Sequence, residues 1–412
     1  MKLILCLALG CLSAVFAMSG VSPKELEPEP VLKSDSFPLG MYGVYSSRID
    51  DMAKVGFNYV QHYGLSWDQD GDKVITEKDM TVYKAYLDEA EKNNVKVLFN
   101  LDAGRHRDTA VYRQVIRDVV KEFAVHPALG MWAIFDEPDA YGNVHGPTRG
   151  KGQQATRSEL QRRLPGELKE HYEYLKIQDS VHQALLVVAD SYFWWDYMES
   201  ADIIAYDKYP IKKSFCHPAL APKNDINLLM RNGTKIRGKY DSLKLLPVQQ
   251  AYDRGCRLPT KEELRHWAFS SLTLGVEGLF WYASHEIWKL HPKKAKEFLN
   301  ESMAPVLSEI KSFVNVVDSI KRPQSVEVEG ELKNIFLRKW TGEDGDYWVL
   351  VNASSESNRL ISIQTKELSP YSSISVWGES RGNFETSLSV NKAENSLSVV
   401  ANPWEVFIWK MK

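Results

Sequence analysis

Short apolar runs alternate with longer amphipathic stretches between Phe37 and Lys311. Strands that are apolar along their whole length are typical of a parallel sheet that helices cover on both faces. Eight runs are predicted to be such strands: Leu39–Tyr45, Phe57–Tyr63, Val95–Leu101, Leu129–Phe135, Ala184–Ala189, Ile203–Tyr206, Leu245–Ala251 and Gly278–Ala283. Eight βα units in about 275 residues fit an α/β fold of the (β/α)₈ TIM-barrel type. A doubly wound open sheet is the alternative for the same pattern.

Amphipathic stretches between these runs predict the helices. Those with the clearest apolar face are Thr76–Lys92, Thr109–Phe123, Leu168–His182 and Lys261–Leu274. Thr260, which precedes two early glutamates, is a good N-cap for the last of them. A further long helix is predicted over Ala295–Val317, where the barrel pattern ends.

The pattern changes at Lys321-Arg322-Pro323 to short alternating runs separated by Gly, Asn, Asp and Ser. Seven strands are predicted there: Ser325–Val328, Ile335–Trp340, Tyr347–Asn352, Ile361–Thr365, Ser373–Trp377, Ser396–Val400 and Val406–Trp409. Short strands with turn residues between them are typical of an antiparallel β-sandwich. We therefore expect a barrel domain over residues 37–320 and a β-sandwich domain over residues 321–412.

The N-terminus has the pattern of a secretory signal peptide. Lys2 is followed by an apolar run from Leu3 to Phe16, too short to span a bilayer, and the segment ends at Ala17. Residues 18–36 form a Pro- and Glu-rich linker. We expect residues 1–17 to be removed and the protein to be secreted or periplasmic. Lipid attachment at Cys11, which would give a surface-anchored form, is the alternative.

Composition narrows the kinds of partner. The 412-residue chain is 44% hydrophobic and has a net charge of −3, which is ordinary for a globular protein. It contains no block of Lys and Arg that would bind nucleic acid or an anionic membrane. No segment after the leader is apolar over 18 residues, so we expect no membrane span in the mature protein. A neutral partner is expected instead.

Two cysteines, Cys216 and Cys256, remain once the leader is removed. They follow the sixth and seventh predicted strands, and adjacent strands of a barrel place those loops side by side. In an oxidising compartment this arrangement predicts a disulfide. Two separate free thiols are the alternative.

Candidate chemistry lies at the ends of the predicted strands, because a (β/α)₈ barrel builds its active site at the C-terminal ends. Carboxylates, aromatic rings and amides converge there: Tyr42, Tyr45, His62, Tyr63, Asn100, Asp102, Asp136, Glu137, Asp139, Asp190, Asp207, Tyr209, Gln250, Asp253, Trp281, His285 and Glu286. The sequence has no ordered Ser-His-Asp spacing, nucleotide-binding glycine loop or close zinc-ligand motif. Acyl transfer and nucleotide chemistry are therefore disfavoured, and no cofactor or metal is expected.

Asp136-Glu137-Pro138, at the end of the fourth run, is the strongest single candidate. Pro138 keeps Glu137 out of helical conformation and cannot continue a sheet, so the carboxylate is left at the open end of the strand. Repulsion from Asp136 would raise the pKa of Glu137, which suits a group that carries a proton at neutral pH. The alternative is that these residues only cap the next helix.

The stretch HPALGMWAIFDEPD resembles the fourth-strand region of secreted barrel glycoside hydrolases, in the large clan that places its acid/base Glu there. ADIIAYDKYP resembles the sixth-strand region of that clan, and LPVQQAYDRGCRLPTKEELRHWAFSSLTLGVEGLFWYAS is similar to its seventh and eighth units. The resemblance implies that Glu137 is the general acid/base. It also implies that Trp281, on the eighth strand, forms the floor under the sugar at the cleavage point.

One departure from that clan concerns the nucleophile. The clan has a second Glu at the end of strand seven, whereas this chain has Gln249-Gln250, and an amide cannot form a glycosyl ester. Asp207 and Glu286 are the preferred candidates for the second carboxylate, ahead of Asp253. Gln250 would then hydrogen-bond a substrate hydroxyl.

The remaining predictions concern carbohydrate contacts. Sugar rings stack on indoles, and the adjacent Trp194 and Trp195 are predicted to form such a platform. His62, Asp102, Asp136 and Tyr209 are expected to contact the carbohydrate from the rim.

Three functions fit these observations. The first is a glycosidase that cleaves O-glycosidic bonds of a poly- or oligosaccharide, by retention or inversion. The second is a barrel that binds carbohydrate without cleaving it, which the absent strand-seven Glu favours. The third is a metal-dependent lyase or isomerase with Asp102, Glu137 and Asp190 as ligands, although such an enzyme needs a Lys base that the second strand lacks.

Overall fold

The computed structural model describes residues 37–65, 75–101, 109–139, 164–189, 194–214, 216, 244–317, 322–330, 332, 334–354, 359–378 and 388–412, without the side chains of 109–112, 195 and 208. The predicted leader and linker therefore lie outside the described residues. Among the helices of the described residues, none has both the length and the apolar character needed to cross a membrane.

Eight parallel strands form a closed barrel, one within or overlapping each predicted run. They are β1 (Leu39–Met41), β2 (Tyr59–Gln61), β3 (Lys96–Asn100), β4 (Leu129–Asp136), β5 (Gln183–Val188), β6 (Ile203–Lys208), β7 (Lys244–Gln250) and β8 (Leu279–Tyr282). Each strand pairs with the next, and β1 closes the barrel by pairing with β8, with Leu39 opposite Leu279. The barrel prediction is confirmed and the open sheet is wrong.

The helices of the described residues follow the strands. They are α1 (Ile49–Val55), α2 (Glu77–Lys92), α3 (Thr109–Phe123), α4 (Pro165–Gln178), α5 (Trp194–Tyr197), α6 (Lys261–Leu272), α7 (Ser284–Leu290), α8 (Ala295–Glu297) and α9 (Ala304–Val316). Thr76 and Thr260 start α2 and α6 with capping boxes, in which each Thr bonds the third residue of its helix and is bonded in return. The N-cap predicted at Thr260 is confirmed.

Two predicted helices have different bounds for local reasons. The helix predicted over Leu168–His182 ends at Gln178 because the carboxylate of Asp179 accepts hydrogen bonds from the N–H groups of Val181 and His182 and turns the chain out of the helix. The helix predicted over Ala295–Val317 contains a π-helical turn, Phe298–Met303, between α8 and α9. Pro305 lies just after that turn and has no N–H with which to continue an α-helical ladder.

The described residues of the C-terminal part form eight antiparallel strands, one more than predicted. They are β9 (Gln324–Ser325), β10 (Ile335–Gly342), β11 (Gly345–Asn352), β12 (Arg359–Gln364), β13 (Ile374–Val376), β14 (Ser389–Asn391), β15 (Ser396–Ala401) and β16 (Val406–Met411). One sheet has the order β13-β16-β11-β10-β9 and the other β12-β15-β14. Trp348, Trp409 and Leu350 of the first sheet share a core with Ile363 and Leu397 of the second, as a β-sandwich requires. The prediction missed β14, which is only three residues long.

The sandwich packs on the barrel through a shared core. Phe313 of α9 contacts the rings of Trp340 and Trp377, with centroids 5.3 and 5.7 Å away. Arg265 of α6 forms a two-pronged ion pair with Glu309 of α9 at 2.7 and 2.9 Å and also donates to a carbonyl of β16. The sandwich therefore supports the helix layer on the side of α6 and α9.

Candidate active site

A bulge in β4 prepares the position of Glu137. The pairing of β4 with β5 shifts register between Ala133 and Phe135, and a bulge changes which side chains face inward. Ala133 packs inside the barrel, whereas Ile134 and Phe135 both pack toward the helices. Glu137 then adopts a φ of 50°, which residues other than Gly rarely adopt outside functional sites. Its N–H donates to the carbonyl of Val187 at 3.0 Å, which fixes the turn.

Glu137 and Asp207 form a carboxyl pair across the barrel mouth. A side-chain hydrogen bond joins them, so one of the two groups carries a proton. Asp207 is only 7% exposed, and its Oδ1 has no hydrogen-bond partner among the described residues. Of the three residues predicted as second carboxylate, Asp207 is thus the one in contact with Glu137.

The surroundings of Glu137 favour its protonated form. Burial, the hydrogen bond to Asp207 and the negative charges of Asp207, Asp136 and Asp139 raise the pKa of Glu137 from 4.5 to about 11. The repulsion predicted from Asp136 is present, but burial and Asp207 contribute more. Glu137 is therefore protonated at neutral pH, as a proton donor must be.

Five tyrosines surround the pair. This tyrosine cluster consists of Tyr42, Tyr63, Tyr209, Tyr252 and Tyr282. Tyr282 lies at its centre, with ring centroids of the other four between 5.2 and 6.5 Å away. Burial, followed by the negative charges of nearby carboxylates, raises the pKa of every member, for Tyr252 to about 12. All five hydroxyls therefore remain protonated and keep a hydrogen to donate.

Asp136 and Tyr42 belong to this surrounding. The charge of Asp136 raises the pKa of Tyr42, as does that of Asp207, so both carboxylates lie near the Tyr42 hydroxyl. That hydroxyl is buried and has no hydrogen-bond partner among the described residues. Tyr209, which the sequence predicted as a carbohydrate contact, also lies in the cluster near Asp207.

His62, His285 and Glu286 form the side of the mouth next to β1 and β2. His62 Nδ1 accepts the N–H of Gly64 at 3.1 Å, and burial together with the charge of His285 lowers the pKa of His62. His285 packs over Gly43, whose φ of 65° and contact with the ring leave no room for a Cβ. Glu286 lies 3.5 Å from both His285 Nε2 and Lys289 Nζ. Glu286 is not among the groups that raise the pKa of Glu137.

Gln250 does not have the environment of a substrate contact. Its side chain is fully buried, its Oε1 accepts the N–H of Ile211 at 2.8 Å, and its Nε2 donates to the carbonyls of Ile211 and Tyr252 at 2.7 and 2.9 Å. The amide is therefore saturated by backbone and holds the chain after β6 against β7. The predicted hydrogen bond from Gln250 to a substrate hydroxyl does not fit this arrangement.

The predicted tryptophan contacts also do not fit the structure. Trp281 is fully buried between barrel and helices, 5.8 Å from Phe57, while its neighbour Tyr282 faces the mouth. Trp194 is fully buried and packs 4.8 Å from the ring of Tyr206. Neither can therefore be the sugar floor or platform. A strand that is apolar on both faces shows no alternation of apolar and polar residues. The sequence of β8 therefore does not indicate which of its side chains face the inside of the barrel.

Three predicted site residues fall outside the described part of the chain. These are Asp102 and Asp190 and, for its side chain, Trp195. Two of the three ligands of the metal-binding alternative, Asp102 and Asp190, therefore also lie outside the described residues.

The predicted disulfide between Cys216 and Cys256 is confirmed, with Cα atoms 5.6 Å apart. Asp253 supports this loop, since its carboxylate accepts the N–H of Cys256 at 2.5 Å and contacts His291 Nε2 at 3.0 Å. These contacts give Asp253 a structural role on the rim.

One group of three possible metal ligands occurs in the described residues, formed by Asp88, Glu91 and His126. His126 precedes β4, at the end of the barrel opposite Glu137. Its Nδ1 accepts the N–H of Ala128, so the neutral ring carries its proton on Nε2, which faces Asp88. The ring therefore offers Asp88 a hydrogen bond rather than a free ligand atom.

Known structures share this architecture. A structure described only as a glycoside hydrolase matches with a TM-score of 0.59 at 12% identity, over 91% of this chain and 92% of the other. A family 5 glycoside hydrolase from Bacteroides vulgatus matches with a TM-score of 0.57 at 12% identity, over 91% and 89%. The chain therefore shares the fold of these two structures. An α-amylase from Geobacillus thermoleovorans, complexed with acarbose, matches with a TM-score of 0.57 at 9% identity, over 92% and 99%.

Sequence comparison gives no such match. No family model matches this chain. None of the curated proteins matches it either. The likeness is therefore one of fold, and the residues of the mouth must carry the functional conclusion.

Proposed function

We propose that this protein is a glycoside hydrolase that uses Glu137 as general acid/base and Asp207 as the second carboxylate. The observation that carries the proposal is the carboxyl pair itself, with Glu137 protonated through burial and its bond to Asp207. Two carboxyl groups, one protonated and one ionised, are what most glycosidases require. Their position at the C-terminal mouth of a barrel agrees with this use.

The contact between the two carboxyl groups favours retention of configuration. Inverting enzymes need roughly 6.5–9.5 Å between the groups to admit a water, whereas retaining enzymes need about 5–5.5 Å. In the first step an Asp207 oxygen bonds to the anomeric carbon while Glu137 gives its proton to the departing glycosidic oxygen. Glu137 then takes a proton from water, whose oxygen replaces Asp207 at that carbon and restores both residues.

The tyrosine cluster gives the mouth its substrate chemistry. Its hydroxyls remain protonated and neutral, so they donate to sugar hydroxyls, and its ring faces pack against the apolar faces of a sugar. Tyr42 contributes a buried hydroxyl without a partner in the described residues, close to Asp136 and Asp207. The leader predicted over residues 1–17 and the disulfide support export, so we propose that the substrate is met outside the cytoplasm.

Incubation with a panel of plant, algal and host glycans tests the proposal, with release of reducing ends as the measurement. Glu137→Gln should lower turnover about 10²–10⁴-fold, with the smallest loss on substrates that have very good leaving groups. Asp207→Asn should be similarly damaging, while Glu286→Gln and Asp253→Asn serve as matched controls with much smaller losses. NMR of the first product should show the anomer of the substrate. Cleavage that is unaffected by Glu137→Gln and Asp207→Asn would refute the assignment.

A carbohydrate-binding barrel without hydrolysis is the second candidate. The observation in its favour is the end of β7, where Gln250 stands in place of a carboxylate and is held by backbone hydrogen bonds. Saturable binding of a glycan from the panel without any release of reducing ends would favour this function over the first.

A further inference from the structure

A groove of about 590 Å³ lies beside the barrel mouth, on the side of β1 and β2. Its walls come from the turn after β1, the residues after β2 and one face of α2. Pockets that hold small-molecule ligands fall in this size range. The carboxyl pair does not line this groove, so the catalytic proposal leaves it unexplained.

Tyr45 is the prominent side chain of the groove. It is 54% exposed, although large aromatic side chains usually bury most of their surface. Its ring centroid lies 5.3 Å from that of His62, and His62 in turn lies 5.7 Å from Tyr86. Tyr86 is fixed from behind by its hydroxyl, which donates to the carbonyl of Val44 at 2.9 Å. The exposed ring of Tyr45 therefore stands on a rigid aromatic base.

The polar groups of the groove match a neutral, hydroxyl-rich ligand. Its two carboxylates are already neutralised, since Asp50 pairs with Lys54 at 2.5 Å and Glu89 with Lys92 at 3.2 Å. Among the described residues no Lys or Arg lines the groove to attract an anion, and a cation would find both carboxylates occupied. The lowered pKa of His62 keeps its ring neutral, and Nδ1 accepts from Gly64, so Nε2 carries a proton that it can donate to a hydroxyl.

Two adjacent residues, His62 and Tyr63, connect the groove with the reaction centre. His62 lines the groove, and the next residue, Tyr63, belongs to the tyrosine cluster, where the charges of Asp136 and Glu137 act on its hydroxyl. His285 lies near both the groove and the tyrosine cluster. Its charge lowers the pKa of His62, and its ring centroid lies 6.4 Å from that of Tyr63. The end of the groove formed by Tyr45 and His62 therefore lies beside the tyrosine cluster.

We propose that this groove is a subsite for a further neutral sugar residue of the chain that is cleaved at Glu137, with Tyr45 as its stacking platform. This inference rests on the proposed function and names its substrate class, a neutral oligo- or polysaccharide rather than a monosaccharide glycoside. Tyr45→Ala should therefore lower kcat/KM on a long substrate and spare a short one.

The probes are hexasaccharides of β-1,4-glucan, β-1,4-xylan, β-1,4-mannan and α-1,4-glucan, with the 4-nitrophenyl glycosides of the same monosaccharides as short substrates. On a cleaved hexasaccharide, Tyr45→Ala should lower kcat/KM about tenfold or more, as for other aromatic anchors. The short glycoside should be cleaved at the wild-type rate. Tyr45→Phe keeps the ring face and should keep most of the activity, and since Tyr45 is more than half exposed neither change removes core packing.

Calorimetric binding of the same hexasaccharides to Glu137→Gln, with and without Tyr45→Ala, separates the two proposals. Equal cleavage of a hexasaccharide by wild type and Tyr45→Ala would overturn the subsite and leave the hydrolase proposal standing. Binding that is lost with Tyr45→Ala, while the wild type cleaves nothing, would support the subsite and overturn the hydrolase. A wild type that neither binds nor cleaves any of the four hexasaccharides would overturn the subsite.

Discussion

Replacing Gln250 by Met tests whether that residue holds the rim together. The substitution preserves most of the side-chain volume but removes an amide that makes three hydrogen bonds to backbone groups of Ile211 and Tyr252. The matched control is Gln249→Met, one residue earlier and also buried. Gln249 makes one hydrogen bond, to the Ser271 hydroxyl at 3.1 Å, and its Oε1 has no partner among the described residues.

The expected difference follows from these counts. A buried donor or acceptor that loses its partner costs about 1–3 kcal/mol. Three such groups beside Gln250 should lower the free energy of unfolding by about 3–5 kcal/mol, because the chain after β6 can relax in part. Gln249→Met should cost about 1 kcal/mol or less, since it also removes a buried oxygen that has no partner.

Thermal unfolding measures this difference. An unfolding entropy of about 2.1 cal/mol/K per residue gives about 0.9 kcal/mol/K for 412 residues. Gln250→Met should therefore unfold about 3–6 °C below the wild type, and Gln249→Met within about 1 °C of it. Gln250→Glu should have a still lower unfolding temperature, since its carboxylate would face two carbonyl oxygens. Equal unfolding temperatures for the two Met variants, or an unchanged temperature together with lost carbohydrate binding, would refute the structural role.

Three further predictions concern charge and covalent support. Because the pKa of Glu137 is raised from 4.5 to about 11 on folding, its contribution to stability is complete below about pH 4.5 and is lost as the pH rises toward 11. The unfolding temperature of Glu137→Gln should therefore exceed that of the wild type at pH 9 but not at pH 4. A difference between the two proteins that does not vary with pH would contradict this prediction. Reduction of the bond between Cys216 and Cys256, 40 residues apart, should cost about 3–4 kcal/mol in thermal unfolding; two alkylatable thiols in the unreduced protein would exclude the bond. Arg265→Met should lower the free energy of unfolding by about 3–5 kcal/mol, because Glu309 loses its ion-pair partner. Adding Glu309→Met should restore much of that stability. A double variant as unstable as Arg265→Met would show that the loss comes from packing instead.

Part of the site could be predicted from local sequence. Pro138 and the two carboxylates before it marked the end of β4, and Glu137 is the protonated group of the mouth. This signal can be read from the sequence because Pro138 restricts the backbone of the residue before it in any fold. The Cys216–Cys256 pairing also followed from sequence, because neighbouring strands of a barrel bring consecutive loops together.

Other parts of the site depend on contacts between distant elements. Gln250, Trp281 and Trp194 were assigned to the substrate, yet the first is saturated by backbone and the other two are fully buried. Tyr252 and Tyr282 were missed although both belong to the tyrosine cluster. The orientation of such side chains depends on strand parity and on partners far away in the chain.

The sequence by itself determined the eight βα units, the change to antiparallel strands after residue 321 and the capped start of α6. Hydrophobic periodicity and capping act over a few residues, so they can be read without the fold. Only the tertiary structure decided which carboxylate meets Glu137, because Asp207 is 70 positions away and is brought near it by the pairing of β4 with β5 and of β5 with β6. The tertiary structure also decided the pKa of Glu137, since burial and the approach of a second carboxyl group exist only after folding.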